Sequence, residues 1–301
     1  MNRAFAMSLL LPFAGCLAFH EGPMPGEPKD ATFAEVAGAR VRYLDAGPRD
    51  APAVVLLHGF ASSLDTWLPV LPALERGHRV LALDLKGFGW TDRPEGDYSP
   101  EAQAKLVLAL MDARGIHRAA VVGHSWGASI ALAMALAAPE RVDRLVLYDG
   151  WMYEEQLPTF FHWSRAGGVG ELLFALYYDQ RPDEKMELAF YDRRFVTEEL
   201  VEAVEKALER PGTKAAALAA VRGQRFVELQ TRYRTVVQPT LLLWGREDKV
   251  SPLAYGERLS KELPNARLVI FPQCGHFPMI EAQAPSTREL VDFLSEREVR
   301  R

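Results

Sequence analysis

The pentapeptide Gly123-His124-Ser125-Trp126-Gly127 constrains this chain more than any other feature. It follows the apolar run Ala119–Val122 and precedes an Ala- and Leu-rich stretch over residues 128–138. These flanks are typical of a buried strand and of a helix. A sharp turn between them brings backbone segments close together, so glycine is needed on both sides of Ser125 to avoid a Cβ clash. We therefore predict that the Ser125 hydroxyl projects at the end of a strand, beside the positive end of a helix.

The composition is that of an ordinary globular protein and excludes several function classes. Of 301 residues, 49% are hydrophobic and 25% charged, and the net charge is −5 with scattered basic residues. This balance supports a sizeable core and argues against a nucleic-acid surface. The two cysteines exclude a disulfide framework, and the seven histidines form no paired ligand motif. We predict no metal site, and the oligomeric state is left open.

Residues 1–20 are typical of an export signal, with a positive start, an apolar stretch over residues 4–14 and then Gly15-Cys16. The stretch is short and contains Pro12, which argues against a membrane-spanning helix. Residues 13–16 resemble a bacterial lipobox, which implies a lipid on Cys16, attachment to the membrane and a location in the cell envelope. Residues 20–30 would then form a flexible tether, so that residues 1–30 lie outside the folded domain. A plain secretory signal and a cytoplasmic enzyme with an apolar leader are the alternatives.

Short apolar runs alternate with helical segments in two parts of the chain, residues 31–150 and 236–301. The runs that read as buried strands are 53–57, 79–83, 119–122, 144–148, 240–244 and 267–270. This alternation predicts an α/β domain with a mostly parallel sheet and helices on both faces. Ligands of such sheets bind beyond the carboxyl ends of the strands.

Residues 151–235 interrupt the alternation with helical, aromatic-rich sequence. One helix is predicted to begin after Thr197, a good cap followed by two glutamates. Because the insertion lies between two predicted strands, we expect a helical cap over the strand ends. Most of its aromatic residues would form its own core, and a few would line an apolar pocket. Trp151 and Phe161, together with Phe277 from the last loop, are the predicted substrate contacts.

A serine nucleophile needs a base within hydrogen-bond reach and a carboxylate that orients the base. His276 follows the strand-like run 267–270 and is the candidate base. Asp248 follows the run 240–244 and is the candidate acid. The chain order serine, acid, histidine is that of strand-to-helix elbow enzymes. The neighbouring Glu247, and Asp149 at the end of the run 144–148, are rival acids.

An oxyanion hole needs two backbone N–H groups aimed at one oxygen. Trp126, which follows the nucleophile, is predicted to supply one. Phe60, in the loop after the run 53–57, is predicted to supply the other. We expect His58 to pack or to brace this loop, and His124 only to pack.

These segments together resemble the α/β-hydrolase superfamily over residues 32–296. The segments that carry the resemblance are His58-Gly59-Phe60, residues 84–92, the elbow around Ser125, the Asp248 loop and the His276 loop. The resemblance implies an eight-stranded, mostly parallel sheet with an inserted helical cap and no cofactor. The pentapeptide also resembles that of haloalkane dehalogenases in having Trp126 after the nucleophile position, but those enzymes use aspartate as the nucleophile. Ser125 therefore argues against dehalogenation and epoxide hydrolysis.

The expected activity is hydrolysis of a carboxylic ester of a small to medium, largely apolar molecule through an acyl-enzyme. The alternative is hydrolysis of a carbon–carbon bond in a meta-cleavage product, as in similar capped hydrolases. Such dicarboxylate-type substrates need a cationic group, for which the cap offers Arg165, Arg181, Arg193 and Arg194. A minor alternative is a non-catalytic binding protein on a hydrolase fold, although all three triad residues are present.

Overall fold

The computed structural model describes residues 17–296, and a central eight-stranded sheet organises them. The strands are β1 (Thr32–Val36), β2 (Ala39–Ala46), β3 (Ala53–Leu57), β4 (Arg79–Leu83), β5 (Ala119–His124), β6 (Val142–Tyr148), β7 (Thr240–Gly245) and β8 (Ala266–Phe271). Their order across the sheet is β1-β2-β4-β3-β5-β6-β7-β8. Pairs involving β1 and β2 are antiparallel, and all the other pairs are parallel. The predicted mostly parallel sheet is confirmed.

Helices cover both faces of this sheet. They are α1 (Leu71–Leu74), α2 (Pro100–Ala113), α3 (Trp126–Ala137), α4 (Thr159–Ser164), α5 (Val169–Tyr177), α6 (Pro182–Ala189), α7 (Glu198–Leu208), α8 (Thr213–Gly223), α9 (Val227–Thr231), α10 (Leu253–Glu262), α11 (Pro278–Glu281) and α12 (Gln283–Ser295). Successive strand residues point to opposite faces. Val55 accordingly packs in the apolar cluster with α2 and α3, whereas Val54 packs in the cluster with α12. Burial on both faces explains the continuous apolar runs of the central strands.

The chain between β6 and β7 holds α4 to α9 and forms the helical insertion. The helix predicted after Thr197 is present as α7, and the Thr197 hydroxyl accepts a hydrogen bond from the Leu200 N–H at 3.2 Å. Within the insertion, α5 packs against α4 and α8. The insertion begins next to Asp149, just beyond the carboxyl end of β6, and ends where β7 begins at Thr240. Its first residues therefore lie at the carboxyl edge of the sheet.

The prediction of a flexible tether over residues 20–30 is wrong. The backbone of His20 pairs with Arg93 in both directions, at 3.0 and 2.8 Å. Met24 is buried, and Glu27 forms a bidentate ion pair with Arg40. These contacts with the core order a segment whose proline and glycine content suggested flexibility. Residues 1–16, including Cys16, lie outside the described residues.

Among residues 17–296, no helix combines the length and apolarity that crossing a membrane requires.

Candidate active site

Ser125 occupies a strained turn between β5 and α3. Its backbone angles are φ 51° and ψ −120°, in the positive-φ region that a non-glycine residue rarely adopts. Two hydrogen bonds hold it there: its N–H donates to the Tyr148 carbonyl, and its carbonyl accepts from the Trp151 N–H, both at 2.9 Å. The end of β6 and the residues just beyond it therefore fix the elbow, and strain of this kind persists only where the surroundings determine it.

The glycines of the pentapeptide are required by close backbone approach. A Cβ added to Gly123 would lie 2.4 Å from the Gly127 carbonyl oxygen. A Cβ added to Gly127 would lie 2.4 Å from the carbonyl oxygen of Leu57 in β3. Real Cβ atoms do not approach oxygen so closely, so the tight turn excludes side chains on both sides of Ser125, as the sequence predicts.

His276 and Asp248 form a buried pair beyond the ends of β8 and β7. His276 Nδ1 lies 2.7 Å from Asp248 Oδ2. Asp248 Oδ1 accepts hydrogen bonds from the N–H groups of Val250, at 2.7 Å, and Ser251, at 2.9 Å. The Asp248 carboxylate therefore accepts a hydrogen bond from the His276 Nδ1–H, which keeps the proton on Nδ1 and leaves Nε2 as the basic nitrogen. This is the tautomer that a general base needs.

His124 connects this pair to the elbow and does more than the packing predicted for it. Its Nε2–H donates to the His276 carbonyl at 2.8 Å, and the two rings lie 4.8 Å apart. Burial lowers the pKa of His124 well below its usual range, so the ring is a neutral hydrogen-bond donor at pH 7. The position of His124 next to Ser125 in the sequence indicates that it lies at the site. Its hydrogen-bond partner cannot be predicted from the sequence, because the two histidines are 152 residues apart.

The loop that contains Phe60 lies against the elbow. A Cβ added to Gly59 would lie 3.1 Å from Ser125 Cβ. His58 braces this loop as expected, since its Nδ1 donates to the Gly59 carbonyl at 2.7 Å and its Nε2 accepts from the Leu85 N–H at 2.9 Å. Trp126 is the first residue of α3, so its N–H has no acceptor within the helix. Both predicted oxyanion donors thus belong to segments that meet at Ser125.

The predicted substrate contacts lie in an aromatic wall around these segments, formed by Phe60, Trp151, Phe161 and Tyr178. The Phe161 ring lies 5.6 Å from Phe60 and 6.3 Å from Trp151, and Tyr178 lies 6.3 Å from Phe60. The Trp151 indole N–H donates to Gln224 Oε1 at 3.0 Å, which fixes its ring. The wall is apolar and belongs partly to the cap.

Phe277 lies on the other side, with its ring 4.9 Å from His124 and 5.5 Å from His276. It stacks on Phe190 of the cap at 4.8 Å. A surface groove of about 510 Å³ lies elsewhere, between Leu17 and α8, and contains none of the candidate catalytic residues. We therefore consider the aromatic wall, where the candidate nucleophile and the candidate base lie, as the candidate site.

Glu281 is a site residue that sequence reasoning missed. Its Oε1 accepts from the Gly275 N–H at 2.8 Å, and its Oε2 accepts from the N–H groups of Tyr191, at 2.8 Å, and Asp192, at 3.0 Å. The His276 N–H also donates to the Ala189 carbonyl at 2.7 Å. These bonds attach the histidine loop to cap residues 189–192. Burial raises the pKa of Glu281.

The four cap arginines named from the sequence all pair with carboxylates. Arg165 pairs with Glu154 and donates to the Gln224 carbonyl. The Arg181, Arg193 and Arg194 side chains are 73%, 76% and 90% exposed and pair with Glu184, Glu187 and Asp192. The three exposed arginines therefore face solvent, not an apolar pocket.

The two rival acids have different positions. Glu247 Oε2 accepts from the Cys274 N–H at 3.1 Å, so that it braces the histidine loop from outside the pair. Asp149 lies next to the His276–Asp248 pair, since one nitrogen or oxygen atom of each of Asp149, Asp248 and His276 lies within 4.8 Å of the others. The structure therefore brings a second carboxyl group to the base.

The sheet order, the elbow after β5 and the insertion after β6 define a capped α/β domain with a serine at the elbow. The family model of the alpha/beta hydrolase fold matches residues 52–283, and the chain belongs to this family.

Among its curated relatives is 2-hydroxy-6-oxo-2,4-heptadienoate hydrolase of Pseudomonas putida. It is 32% identical over 266 residues, which cover 80% of this chain and 88% of the relative.

Two solved structures are similar over most of the chain. A mutant of a meta-cleavage product hydrolase is 31% identical with a TM-score of 0.75, covering 88% of this chain and 98% of that one. A bacterial membrane phospholipase A is 27% identical with a TM-score of 0.71, covering 88% of this chain and 85% of that one. The protein is thus similar to hydrolases that differ in the bond they cleave.

Proposed function

We propose that this protein hydrolyses a bond at a carbonyl carbon of a small, largely apolar molecule, with Ser125 as nucleophile. The observation that carries the proposal is the buried His276–Asp248 pair, at 2.7 Å, beside an elbow that holds Ser125 at φ 51°. Unactivated serine is a weak nucleophile, and a base oriented by a carboxylate is the arrangement that activates it.

In the proposed reaction, His276 Nε2 takes the Ser125 proton as Oγ attacks the carbonyl carbon. The N–H groups of Phe60 and Trp126 stabilise the negative oxygen. His276 then gives the proton to the leaving group, and water, activated by the same nitrogen, releases the acyl group from Ser125. Asp248 keeps the imidazole in the required tautomer and stabilises its charged form.

Between the two candidate bonds, the relatives favour the carbon–carbon bond of a meta-cleavage product over the carboxylic ester that was the main expectation. The curated relative at 32% identity and the structure at 31% identity both carry names of this class. The two reactions differ in the leaving group, which is a conjugated carbanion in one case and an alcohol in the other. Both use the same nucleophile and oxyanion donors.

A carboxylic ester is the second candidate, and the surroundings of the site favour it. Aromatic rings line the wall beside Ser125, and the exposed cap arginines are paired with carboxylates in solvent. These three arginines therefore offer no cation at the wall to a dicarboxylate substrate. An uncharged acyl chain needs no cation and gains free energy by leaving water.

A substrate panel separates the candidates. Purified protein is assayed with p-nitrophenyl esters of increasing acyl length and with a dienoic ring-cleavage product. Ser125→Ala should lower kcat by about 10³-fold or more on the true substrate. Ser260→Ala, on α10, is the matched control and should retain activity. Full activity of Ser125→Ala, or no labelling of the wild type by a fluorophosphonate, would refute the proposal and support a binding role.

We also propose that residues 1–16 direct the chain to the cell envelope, with lipid on Cys16; a cytoplasmic location is the alternative. Leu17 packs against the core, so such a lipid would hold the domain directly at the bilayer surface. Mass spectrometry of the protein from its native host decides this, because an intact Met1 excludes export.

A further inference from the structure

Two carboxyl groups meet behind the candidate base, at the ends of β6 and β7. Asp149 is fully buried and Asp248 is 5% exposed. Both side chains and His276 bring ligand-type atoms within 4.8 Å of one another. Two ionised carboxylates so close together and shielded from water repel each other strongly, so one of them holds a proton.

The hydrogen bonds identify which carboxyl group is ionised. Asp248 accepts from His276 and from the N–H groups of Val250 and Ser251. Asp149 accepts through Oδ1 from the Gly245 N–H at 2.9 Å, whereas its buried Oδ2 has no partner among the hydrogen bonds of residues 17–296. Three donors stabilise the negative charge on Asp248 and one on Asp149. The proton therefore belongs on Asp149 Oδ2, where it turns an unpartnered acceptor into a donor.

The charges around Asp149 act in the same direction. Burial raises the pKa of Asp149 well above its usual range, and the charge of Asp248 raises it further. Glu281 adds a smaller effect of the same sign, and the Gly245 N–H acts in the opposite direction. The nearby Cys274 thiol is kept neutral because burial raises its pKa.

We propose that Asp149 is a neutral carboxylic acid whose Oδ2–H donates a hydrogen bond to Asp248, and that it is a positioning residue for the base. The turn supports this role. Asp149 adopts φ 42°, and its N–H donates to the Leu243 carbonyl in β7 at 3.0 Å, so its side chain is held at the β6–β7 seam. The donated bond draws charge from Asp248 and tunes its attraction for the imidazolium that forms during reaction.

A second consequence concerns variants of Asp248. If Asp248 becomes an amide, Asp149 loses the neighbouring charge that keeps it protonated. It can then ionise close to the His276 ring, since ligand-type atoms of the two residues lie within 4.8 Å of each other, and serve as a reserve carboxylate. The positioning role rests on the proposed function of the triad, whereas the protonation state of Asp149 does not.

The decisive experiment compares Asp149→Asn with the wild type by methods that need no substrate. Infrared spectroscopy should show one protonated-carboxyl band at pH 7 that is lost in the variant. The titration midpoint of the His276 ring, followed by NMR and assigned with His276→Asn, should change by less than about 0.3 pH unit, since an amide and a neutral acid carry the same charge. Asp143→Asn, on the same strand but paired with Arg118 and Arg144, is the matched control.

The opposite result has a distinct sign. If Asp149 is ionised, Asp149→Asn removes a negative charge about 5 Å from the ring, and the midpoint falls by more than about 1 pH unit. That result, or a missing carboxyl band, overturns the proposal. A stoichiometric metal ion in the purified protein would also overturn it, because a cation would balance two carboxylates.

Fluorophosphonate labelling tests the role in positioning. Asp149→Asn should label within about 3-fold of the wild type, whereas Asp149→Ala, without a donor, should label about 10-fold more slowly. Equal losses in both would assign Asp149 a structural role only and refute the positioning role. The Asp248→Asn/Asp149→Asn double variant should label at least about 10-fold more slowly than Asp248→Asn alone. Equal rates for these two would refute the reserve function.

Discussion

Glu281→Ala tests whether the cap holds the histidine loop. The substitution removes the acceptor of three N–H groups, on Gly275, Tyr191 and Asp192. Hydrogen bonds to a charged group contribute about 1.5–3 kcal/mol each when buried. Glu281 is about half-buried, so each contributes less, and we expect a loss of about 2–3 kcal/mol in the free energy of unfolding.

The assay is urea-induced unfolding followed by tryptophan fluorescence, combined with the rate of fluorophosphonate labelling. Labelling should slow by about 10-fold, since the His276 backbone loses the support of its neighbours and the base is less well oriented. Glu281→Gln keeps one acceptor oxygen and should fall between the wild type and Glu281→Ala.

Glu289→Ala is the matched control, because Glu289 lies on α12 and pairs with Arg267 at the surface, at 3.0 Å. Surface ion pairs contribute about 0–1 kcal/mol, so this variant should be nearly as stable as the wild type and label at the same rate. Equal stability and labelling in Glu281→Ala and Glu289→Ala would refute the claim that Glu281 ties the cap to the base.

Three further predictions concern the elbow and its surroundings. Gly127→Ala should lose at least about 3 kcal/mol of stability or fail to fold, because its Cβ would meet the Leu57 and His58 carbonyls. Gly77→Ala is the control, because a Cβ there meets open space and should leave stability unchanged. Thermal unfolding compares the two variants. His124→Phe keeps a ring but loses the donor to the carbonyl of the base, and should label about 10-fold more slowly than wild type. Exposed His117→Phe should not, and identical rates in the two variants would contradict the role of His124. Buried Asp149 takes up a proton on folding, so the unfolding free energy of the wild type should fall by about 1.4 kcal/mol per pH unit relative to Asp149→Asn as the pH rises from about 5 to 7. Urea titrations at several pH values measure this, and parallel pH dependences would show that Asp149 is ionised in the folded chain.

The local sequence predicts the elements of the fold well. The elbow strand, the cap of α7 at Thr197 and the strands that carry Asp248 and His276 all have local patterns that determine them. Apolar runs form strands buried on both faces, and side-chain caps begin helices. The carboxyl edge then collects whatever follows these strands, which is why Ser125, Asp248 and His276 are predictable from their places after apolar runs.

The partners of buried polar groups are not predictable in this way. His124 is the last residue of β5 and Asp149 follows β6, yet the sequence predicts only packing for His124 and a rival acid for Asp149. Their roles depend on atoms across the sheet: the His276 carbonyl for His124, and the Gly245 N–H and Asp248 for Asp149. The segment 20–30 differs from its predicted flexibility for the same reason. Its order comes from contacts with Arg93 and Arg40 and not from its own composition.

The sequence by itself therefore determined the fold class, the elbow and the order of the candidate triad, because these depend on local periodicity and on glycines in tight turns. The tertiary structure decided the tie between Glu281 and the cap, the hydrogen bond between two histidines that are 152 residues apart, and the close approach of two buried carboxyl groups. Burial and distance set the protonation and the partners of such groups, and neither quantity exists until the chain has folded.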